Sequence, residues 1–336
     1  MTDRRALSTS FLDAAGWGSA DRAYLAGDAS DRRYDRLALG AKTAVLMDTP
    51  PEQGDDPATF LKIAGYLLQH GLSAPRCLAQ DLSHGFLLLE DLGDGIFAKL
   101  IADDPRLEPR LYRAAVDALI YVQSLRIPAD LPNLMAADWA KAAGFALTWY
   151  RFAITGQQIT ADAFEAELTD LLRRHADGPR VVILRDFHAE NLLWLPDRVG
   201  RAQVGLLDFQ LAQLGQPGYD LVSLLQDARR DVSPQTVQQM KIHFIGAGGL
   251  NASDFEAAYA VLGAQRALRI LGVFARLCLV AGKPGYLALM PRVWVHLQQN
   301  LSHPSLVALA KICADMLPEP TPQALALIGS KCGHFR

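Results

Sequence analysis

The spacing of apolar residues changes at the glycine-rich segment 91–95, and this change most constrains the fold. Before it, short extended runs alternate with turns, as in the runs 33–39 and 43–47 around the turn at 40–42. Such alternation predicts antiparallel strands joined by tight turns. After it, apolar residues recur mostly three and four positions apart, which predicts helices. The sequence therefore predicts an α+β fold of two lobes with a hinge at the glycine-rich segment.

The first lobe is predicted to be a small antiparallel sheet that carries one helix. A short helix at 9–16 precedes three strands, and the runs 76–80 and 85–90 supply two more. Between them, residues 57–70 place their apolar side chains at helical spacing, which predicts one apolar helix face against the sheet. We assign this lobe to residues 1–92.

The second lobe, residues 93–336, is predicted to be larger and mainly helical. The expected helices cover 107–126, 137–154, 160–176, 218–230, 234–246, 253–281, 285–300 and 304–316. One segment, 181–214, loses the helical pattern and alternates apolar strands with loops. We therefore predict a polar hairpin near the middle of the helical lobe.

Three side chains with oxygen atoms stand at strand ends in this hairpin. Asp186 and Asn191 are five residues apart in one loop, and Asp208 ends the next apolar strand. Carboxylate and amide oxygens bind hard cations such as Mg²⁺, and a carboxylate can accept a proton. Isolated Asp and Asn residues in loops most often form turns. Their combination with Asp208, and with Asp220 at a predicted helix start, favours a phosphotransfer site.

The same residues resemble a known family. The spacing D-x-x-x-x-N, followed by an apolar strand that ends in D-F, is similar to the catalytic and metal-binding loops of protein-kinase-like phosphotransferases. The strings RDFHAEN (185–191), LDFQ (207–210) and QPGYDL (216–221) resemble the aminoglycoside phosphotransferase family, whose members phosphorylate small molecules. Four further segments are similar to the anomeric N-acetylmuramate/N-acetylglucosamine kinases of bacterial peptidoglycan recycling, namely 27–34, 47–51, 86–94 and 266–276.

The resemblance implies an ATP-dependent and Mg²⁺-dependent kinase that phosphorylates the anomeric hydroxyl of an amino sugar. Asp186 would be the catalytic base, and His188 would lie beside it, either ordering the loop or touching the sugar. Asn191 and Asp208 would bind Mg²⁺. Asp220 would brace the catalytic loop through hydrogen bonds. The carboxylate of an N-acetylmuramate substrate would want a basic residue nearby.

The resemblance also implies where the nucleotide binds. The turn from Gly27 to Ser30 would cover the phosphates with backbone N–H groups and the Ser30 hydroxyl. The backbone from Glu90 to Leu92 would meet the adenine edge at the hinge between the lobes.

One part of the family pattern is missing. Met47 occupies the place of the usual nucleotide-binding lysine, and the predicted helix 57–70 contains no Asp or Glu to pair with a lysine. The phosphate charge must still be met, and the guanidinium of Arg32 or Arg33 suits phosphate geometry best. Lys62 is another available cation. The alternative is that the arginine only pairs with a neighbouring aspartate at the surface.

Other functions stay open at this point. A kinase for an aminoglycoside, choline or a fructosamine would want an acidic pocket, because these substrates are cations. A nucleotide-binding scaffold without turnover is motivated by the loss of the lysine at Met47. The intact set of Asp186, Asn191 and Asp208 argues against the scaffold. Arg266, Arg269 and Arg276 either reach toward the substrate or solvate a helix face.

Composition excludes several protein classes. Half of the 336 residues are hydrophobic and the net charge is −3, with 33 basic and 36 acidic residues, so disorder and dedicated nucleic-acid binding are not expected. The N-terminus is too charged for a signal peptide. Arg269 and Arg276 interrupt the most apolar later segment, so that segment is not expected to span a bilayer. The four cysteines form no C-x-x-C pair. We expect a cytoplasmic monomer or weak dimer. Its expected partner is a small molecule, an amino sugar, and we expect neither a nucleic-acid partner nor a membrane partner.

Overall fold

The chain forms two compact units. The computed structural model describes residues 4–27, 32–51 and 56–335. The first unit comprises Met1–Ala118 and Ala189–Leu211, and the second comprises Leu119–His188 and Ala212–Arg336. The predicted hairpin 181–214 is thus divided between the units. The lobe boundary that the sequence places after Leu92 stays a prediction, because the limits of compact units do not locate a hinge.

The first unit is built on a five-stranded sheet. Its strands are β1 (Asp21–Gly27), β2 (Arg33–Leu39), β3 (Lys42–Asp48), β4 (Cys77–Asp81) and β5 (Phe86–Glu90). They are arranged in the order β1-β2-β3-β5-β4, and all neighbours run antiparallel. This confirms the predicted meander and the two additional strands.

Two helices belong to this sheet, α1 (Arg4–Ala14) and α2 (Pro57–Gln69). The sequence predicts α1 at 9–16, whereas the helix begins at Arg4, and the prediction does not pack this helix on the sheet. In the structure, α1 packs on the sheet because its apolar residues Phe11 and Leu12 join the core that also contains Leu37 and Phe86. The rings of Phe11 and Phe86 are stacked with their centroids 5.7 Å apart.

Helix α2 begins and ends where its sequence predicts. The Asp56 side chain accepts a hydrogen bond from the N–H of Ala58, and Pro57 stands at the first helical position, where its missing N–H costs nothing. Gly71 follows the helix with φ of +72°, the left-handed conformation that glycine adopts without strain. The buried face consists of Phe60, Ile63, Ala64 and Leu67.

The remainder of the first unit contains α3 (Phe97–Asp103), the start of α4 (Glu108–Ser124), and the paired strands β7 (Leu192–Trp194) and β8 (Val204–Leu206). Backbone hydrogen bonds hold this strand pair in the unit. The Trp194 N–H donates to the Gly95 carbonyl at 2.7 Å, and the Leu206 N–H donates to the Ser73 carbonyl at 2.7 Å. A side chain at Gly95 would collide with the Trp194 carbonyl, so this close approach needs glycine.

The second unit is mainly helical. Its helices after α4 are α5 (Ala136–Ala143), α6 (Phe152–Thr155), α7 (Asp162–His175), α8 (Tyr219–Leu225), α9 (Pro234–Gly248), α10 (Ala252–Leu279), α11 (Met290–Leu301), α12 (Val307–Met316) and α13 (Pro322–Gly329). The strands β6 (Val181–Ile183) and β9 (Gln213–Gly215) pair antiparallel. Most residues of the 28-residue α10 are buried, so this helix is the centre of the unit. Among the described residues, no helix is both long and apolar enough to span a membrane.

The predicted helix 137–154 is interrupted. One turn of π-helix, Ala146–Arg151, separates α5 from α6. The backbone of Phe145 just before this turn lies so close to α10 that a Cβ atom at Gly272 would come within 2.2 Å of its carbonyl carbon. Apolar periodicity does not report such a contact between helices, so the sequence predicts one continuous helix here.

Candidate active site

A pocket of about 390 Å³ lies within the first unit. The segment Glu90–Asp94, which begins at the last residue of β5, forms one wall of it. Apolar side chains and a few polar ones complete the lining, among them Val45, Phe60, Leu89, Leu193, Leu207, Arg32, Asn191 and Asp208. A mostly apolar cleft of this size with a few convergent polar groups is typical of a small-molecule or cofactor site.

The strand pair β7–β8 brings Asn191 and Asp208 to this pocket. Asn191 directly precedes β7, Asp208 follows β8, and the N–H of Leu207 donates to the Asn191 carbonyl at 2.9 Å. Antiparallel pairing of the two strands therefore places both side chains at the same end of the hairpin. Asp208 has a φ of +53°, an unusual backbone for a residue with a side chain and one that clusters at functional sites.

Arg32 reaches the same pocket. Its Nη2 donates to Oδ1 of Asp208 at 3.1 Å, and only 8% of the residue is exposed. The strand register places Tyr34 opposite Met47, and the Arg32 Nη1 lies 3.5 Å from the Tyr34 hydroxyl. The guanidinium of Arg32 thus contacts both Asp208 and the tyrosine that pairs with Met47 across β2 and β3. Met47 itself is 1% exposed, as an apolar replacement should be.

Arg33 lies elsewhere. Its Nε donates to Oδ1 of Asp35 at 3.1 Å, and its guanidinium stands over the Tyr24 ring at 5.5 Å. Consecutive strand residues point to opposite faces of a sheet, and Arg33 accordingly lines a separate cavity with Arg22. Of the two arginines that the sequence offers as phosphate ligands, only Arg32 lies beside Asp208.

The remaining predicted nucleotide contacts are only partly described. Gly27 ends β1, and Ser30 lies outside the described residues. The Glu90 carboxylate binds Arg76 and Arg198, so a nucleotide contact at Glu90 falls to its backbone. Leu92 lines the pocket.

The segment after Glu90 is held by one arginine. Arg36 on β2 pairs with Asp91 at 2.8 Å and with Asp94 at 2.7 Å. The N–H of Gly93, which has a φ of +82°, donates to Asp91 at 3.0 Å. These contacts fix the backbone where the resemblance places the adenine edge.

Asp186 belongs to the second unit, where Asp220 braces its loop. The Asp220 carboxylate accepts hydrogen bonds from the N–H groups of Leu184 at 2.6 Å and Arg185 at 2.9 Å. Arg185 has a φ of +72°, so the chain turns sharply just before Asp186. Complete burial raises the pKa of Asp220 to about 7, although both hydrogen bonds act in the opposite direction.

His188 is buried, with 5% of the residue exposed. Its Nε2 lies 3.3 Å from Nη1 of Arg229. Burial lowers the pKa of His188 well below its usual value, and the positive charges of Arg229 and Arg266 lower it further. The imidazole is therefore neutral at pH 7, and it can donate or accept a hydrogen bond without carrying charge.

Sequence reasoning missed Arg229 because it predicts a helix over 218–230. In the structure α8 ends at Leu225, and the Asp227 side chain accepts a hydrogen bond from the Arg229 N–H at 2.8 Å. Such local bonds from Asp to the backbone compete with the helix. The available signal was the charged string DARRD at 227–231, directly after an apolar helix.

The sequence-predicted residues thus divide into two groups. Asn191, Asp208 and Arg32 line one pocket in the first unit. Asp186 and His188 lie in the second unit, with Asp220 as a brace.

Comparison with known proteins identifies the family of this chain. The sequence model of the Phosphotransferase enzyme family matches residues 22–259. An N-acetylmuramate/N-acetylglucosamine kinase of Caulobacter vibrioides is 37% identical over 92% of this chain and 95% of its own. A kinase with the same name from Pseudomonas aeruginosa is 34% identical over 90% of this chain and 91% of its own.

Solved structures show the same fold at low sequence identity. A choline/ethanolamine kinase family protein from Mesorhizobium loti superposes with a TM-score of 0.62 at 13% identity, covering 98% of this chain and all of the other. An aminoglycoside-3'-phosphotransferase of type VIII gives 0.53 at 16% identity, covering 75% of this chain and 97% of the other.

These findings confirm the predicted two-lobe α+β fold class, the family resemblance and the enzyme class. Because the family match covers well over half of the sequence and full-length relatives exceed 30% identity, the chain belongs to the phosphotransferase enzyme family and is an ATP-dependent kinase.

Proposed function

We propose that this kinase acts in the cytoplasm and transfers the γ-phosphoryl group of ATP to the anomeric hydroxyl of N-acetylmuramate and N-acetylglucosamine, with Mg²⁺ as cofactor. The relatives that bear these sugars in their names cover nine-tenths of the chain. The observation that carries the phosphotransfer chemistry is the meeting of Asn191, Asp208 and Arg32 in one pocket. The sugar assignment depends on the relatives.

In this proposal the adenine ring lies between the apolar walls of the pocket. Val45 and Leu89 come from the sheet and Leu207 from the end of β8, so the ring is covered from two sides. The backbone between Glu90 and Leu92, held by Arg36, supplies hydrogen bonds to the adenine edge. The phosphates extend toward Arg32, whose fork of N–H donors matches phosphate oxygens.

The donors in the pocket fit Mg²⁺. The ion prefers oxygen ligands, and proteins usually hold it by one or two carboxylates while phosphates and water complete the shell. The Asn191 amide and the Asp208 carboxylate provide this partial set. Among the described residues, no three His, Cys, Asp or Glu side chains form a metal-binding group, so a cation held by protein ligands alone is not proposed. The bound ion would neutralise charge on the transferred phosphate.

Asp186 accepts the proton of the attacking hydroxyl. The anomeric oxygen forms a bond to the γ-phosphorus, the bond from that phosphorus to the bridging oxygen of ADP breaks, and the hydroxyl proton passes to the Asp186 carboxylate. Asp220 keeps the loop in place by holding the N–H groups of the two residues before Asp186. Phosphoryl transfer requires positioning more than covalent chemistry, so this brace has a direct effect on rate.

The surroundings of His188 weigh against the alternative substrates. Arg229 and Arg266 act on this residue with positive charge. An aminoglycoside, choline or a fructosamine is a cation and would be repelled here. A neutral or anionic sugar meets no such repulsion.

A direct test mixes the protein with ATP, Mg²⁺ and one acceptor from a panel, and measures ADP formation. The panel contains N-acetylmuramate, N-acetylglucosamine, kanamycin, choline and a fructosamine, and ³¹P NMR identifies the product. We expect ADP and a sugar 1-phosphate with the two amino sugars alone. ADP formation with a cationic acceptor would replace the substrate assignment, and ATP binding without ADP formation on any acceptor would favour the scaffold.

The base is tested by Asp186→Asn. General-base catalysis contributes roughly a hundredfold to ten-thousandfold, so kcat falls by about that factor while KM for both substrates changes little. The matched control is Asp177→Asn, which removes a carboxylate that pairs with Arg180 in the same unit. Near-normal turnover by Asp186→Asn would remove Asp186 from the role of base.

A further inference from the structure

Two cysteines of the second unit meet where the C-terminal segment packs against α10. Cys278 lies in the last turn of α10, and Cys332 follows α13. The N–H of Gly333, the residue after Cys332, donates to the Cys278 carbonyl at 3.0 Å. A backbone hydrogen bond thus joins two parts of the chain that are far apart in sequence, directly beside the two thiols.

This hydrogen bond limits the distance between the Cα atoms of the two cysteines. Each Cα lies about 2.4 Å from the nearer atom of the bond, so the two Cα atoms are at most about 8 Å apart. Disulfides span Cα separations of about 4.4–6.8 Å. The two side chains also converge, because the Cys332 thiol lies within hydrogen-bonding reach of the Cys278 thiol. A disulfide between them therefore requires at most a small shift.

The C-terminal segment is held on both sides of Cys332. The ammonium group of Lys331 donates to the Ala153 carbonyl on α6 at 2.6 Å. The N–H of Phe335 donates to the Leu279 carbonyl at the end of α10 at 3.1 Å. These contacts keep Cys332 next to α10 while both thiols are reduced.

The two thiols differ in their access to solvent. Cys278 is buried, whereas Cys332 is partly exposed. Burial, together with the neighbouring Cys332, raises the pKa of the Cys278 thiol to about 12. An external reagent therefore meets Cys332 first, and Cys278 reacts with a sulfur that is already held beside it.

We propose that Cys278 and Cys332 form a redox switch, in which a low-molecular-weight disulfide such as oxidised glutathione converts the two thiols into a disulfide. The Cys332 thiolate attacks one sulfur of the reagent, which forms a mixed disulfide and releases one thiolate. The Cys278 thiolate then attacks the Cys332 sulfur, and the second thiol of the reagent leaves. Two protein thiols are oxidised, and the reagent is reduced to two thiols. The inference is independent of the proposed sugar substrate.

The disulfide would tie the C-terminal segment to the central helix of the second unit. It closes a loop of roughly fifty residues that contains α11, α12 and α13, and closing such a loop restricts the unfolded chain. We expect oxidation to raise Tm by about 3–8 °C. In a reducing compartment both thiols stay reduced, so this added stability appears only when disulfides accumulate.

The test treats the full-length protein with oxidised glutathione or with dithiothreitol, removes the reagent, and measures intact mass, disulfide-linked peptides and Tm. Cys77 is an exposed thiol of the first unit and can bind glutathione by itself. Cys77→Ser is therefore the control and the background in which masses are compared. Cys332→Ser and Cys278→Ser are made in this background.

We expect oxidised Cys77→Ser to lose about 2 Da, the mass of two hydrogen atoms, and to yield a peptide that links Cys278 to Cys332. Its Tm should rise as in the wild type and fall back with dithiothreitol. The variant that also carries Cys332→Ser should show neither the loss of mass nor the rise in Tm. The variant that also carries Cys278→Ser should retain one glutathione on Cys332, because the resolving thiol is missing.

Two results would overturn the redox switch. A stable glutathione adduct on Cys332 in the Cys77→Ser background would show that the two sulfur atoms do not reach each other. A linked peptide without a rise in Tm would show that the disulfide does not stabilise the fold. If Cys278→Ser does not fold, Cys332→Ser still decides, because its side chain is partly exposed.

Discussion

At the scale of single residues, Met47 in the place of the family's lysine is the largest departure from the family pattern, and we propose that Arg32 replaces the lost charge. A buried lysine without an acidic partner would be costly, and α2 has no acidic residue to offer one. Arg32 directly precedes β2, the strand next to β3, and binds Asp208. The sequence alone could not decide which of Arg32 and Arg33 faces the pocket. Adjacent residues of a strand point to opposite faces of the sheet, so a shift of the strand register by one position would exchange the two.

We expect Arg32→Ala to raise KM for ATP by about tenfold, because it removes a charge-assisted bond to phosphate. The matched control is Arg33→Ala, which removes the adjacent guanidinium from the opposite face and should leave KM for ATP unchanged. ATP titrations at saturating sugar measure both variants. A larger effect from Arg33→Ala than from Arg32→Ala would reverse the assignment.

Asp220 should make stability depend on pH. Its folded-state pKa of about 7 lies above the usual carboxyl value, so the native state binds its proton more tightly than the unfolded state does. Its contribution to the free energy of unfolding is thus fully present below about pH 4 and is lost as the pH rises toward 7, by at most about 1.4 kcal/mol per pH unit.

The variant Asp220→Asn cannot titrate and should lose this part of the pH dependence. Denaturant unfolding of wild type and variant at pH 5, 6 and 7 gives the difference in slope. Asp117→Asn on the exposed face of α4 is the control and should keep the wild-type slope. Equal slopes for the wild type and Asp220→Asn would show that Asp220 has an ordinary pKa.

At the scale of elements, apolar periodicity predicts strands and helices well where burial on one face decides the structure. The five strands of the sheet and the helices α2 and α10 are of this kind. Two of the errors occur where a single contact decides. Helix α8 ends early because Asp227 binds the Arg229 N–H, and the helix predicted at 137–154 is divided at a close approach to α10.

That close approach can be tested at Gly272. A methyl group there would collide with the Phe145 backbone, so Gly272→Ala should lower the free energy of unfolding by about 1–3 kcal/mol. Gly246→Ala on α9 is the matched control, because no atom lies within 4 Å of its added Cβ. That change should raise stability by about 0.5–1 kcal/mol. Equal effects of the two variants on chemical denaturation would contradict the packing described here.

At the scale of the whole molecule, the segment that carries Asp186, Asn191 and Asp208 was recognisable from the sequence, but its division between the two units was not. The spacing of Asp186, Asn191 and Asp208 predicts a phosphotransfer site without any knowledge of the fold. The hairpin then proves to be shared, with Asn191 and Asp208 in the first unit and Asp186 in the second. Backbone bonds from Gly95 and Ser73 to the strand pair hold β7 and β8 in the first unit, and the periodicity of apolar side chains does not report backbone bonds.

Nucleotide binding should therefore stabilise the protein in a way that depends on Mg²⁺. A ligand at a hundredfold excess over its Kd adds about 2.7 kcal/mol to the free energy of unfolding. We expect ATP with Mg²⁺ to raise Tm more than ATP with EDTA, because without the ion the phosphates and the Asp208 carboxylate repel each other and compete for Arg32. Asp208→Asn should lose most of the Mg²⁺-dependent part, since an amide is a weaker ligand for this ion than a carboxylate.

The comparison of Tm values separates the metal from the nucleotide. Asp208→Asn also removes an acidic partner of Arg32, which makes the guanidinium more available to the phosphates, so ATP with EDTA should stabilise this variant at least as well as it stabilises the wild type. Asp117→Asn should follow the wild type in both conditions. A Mg²⁺-dependent rise in Tm that survives in Asp208→Asn would place the ion away from Asp208. The pocket would then present the γ-phosphate in a different direction.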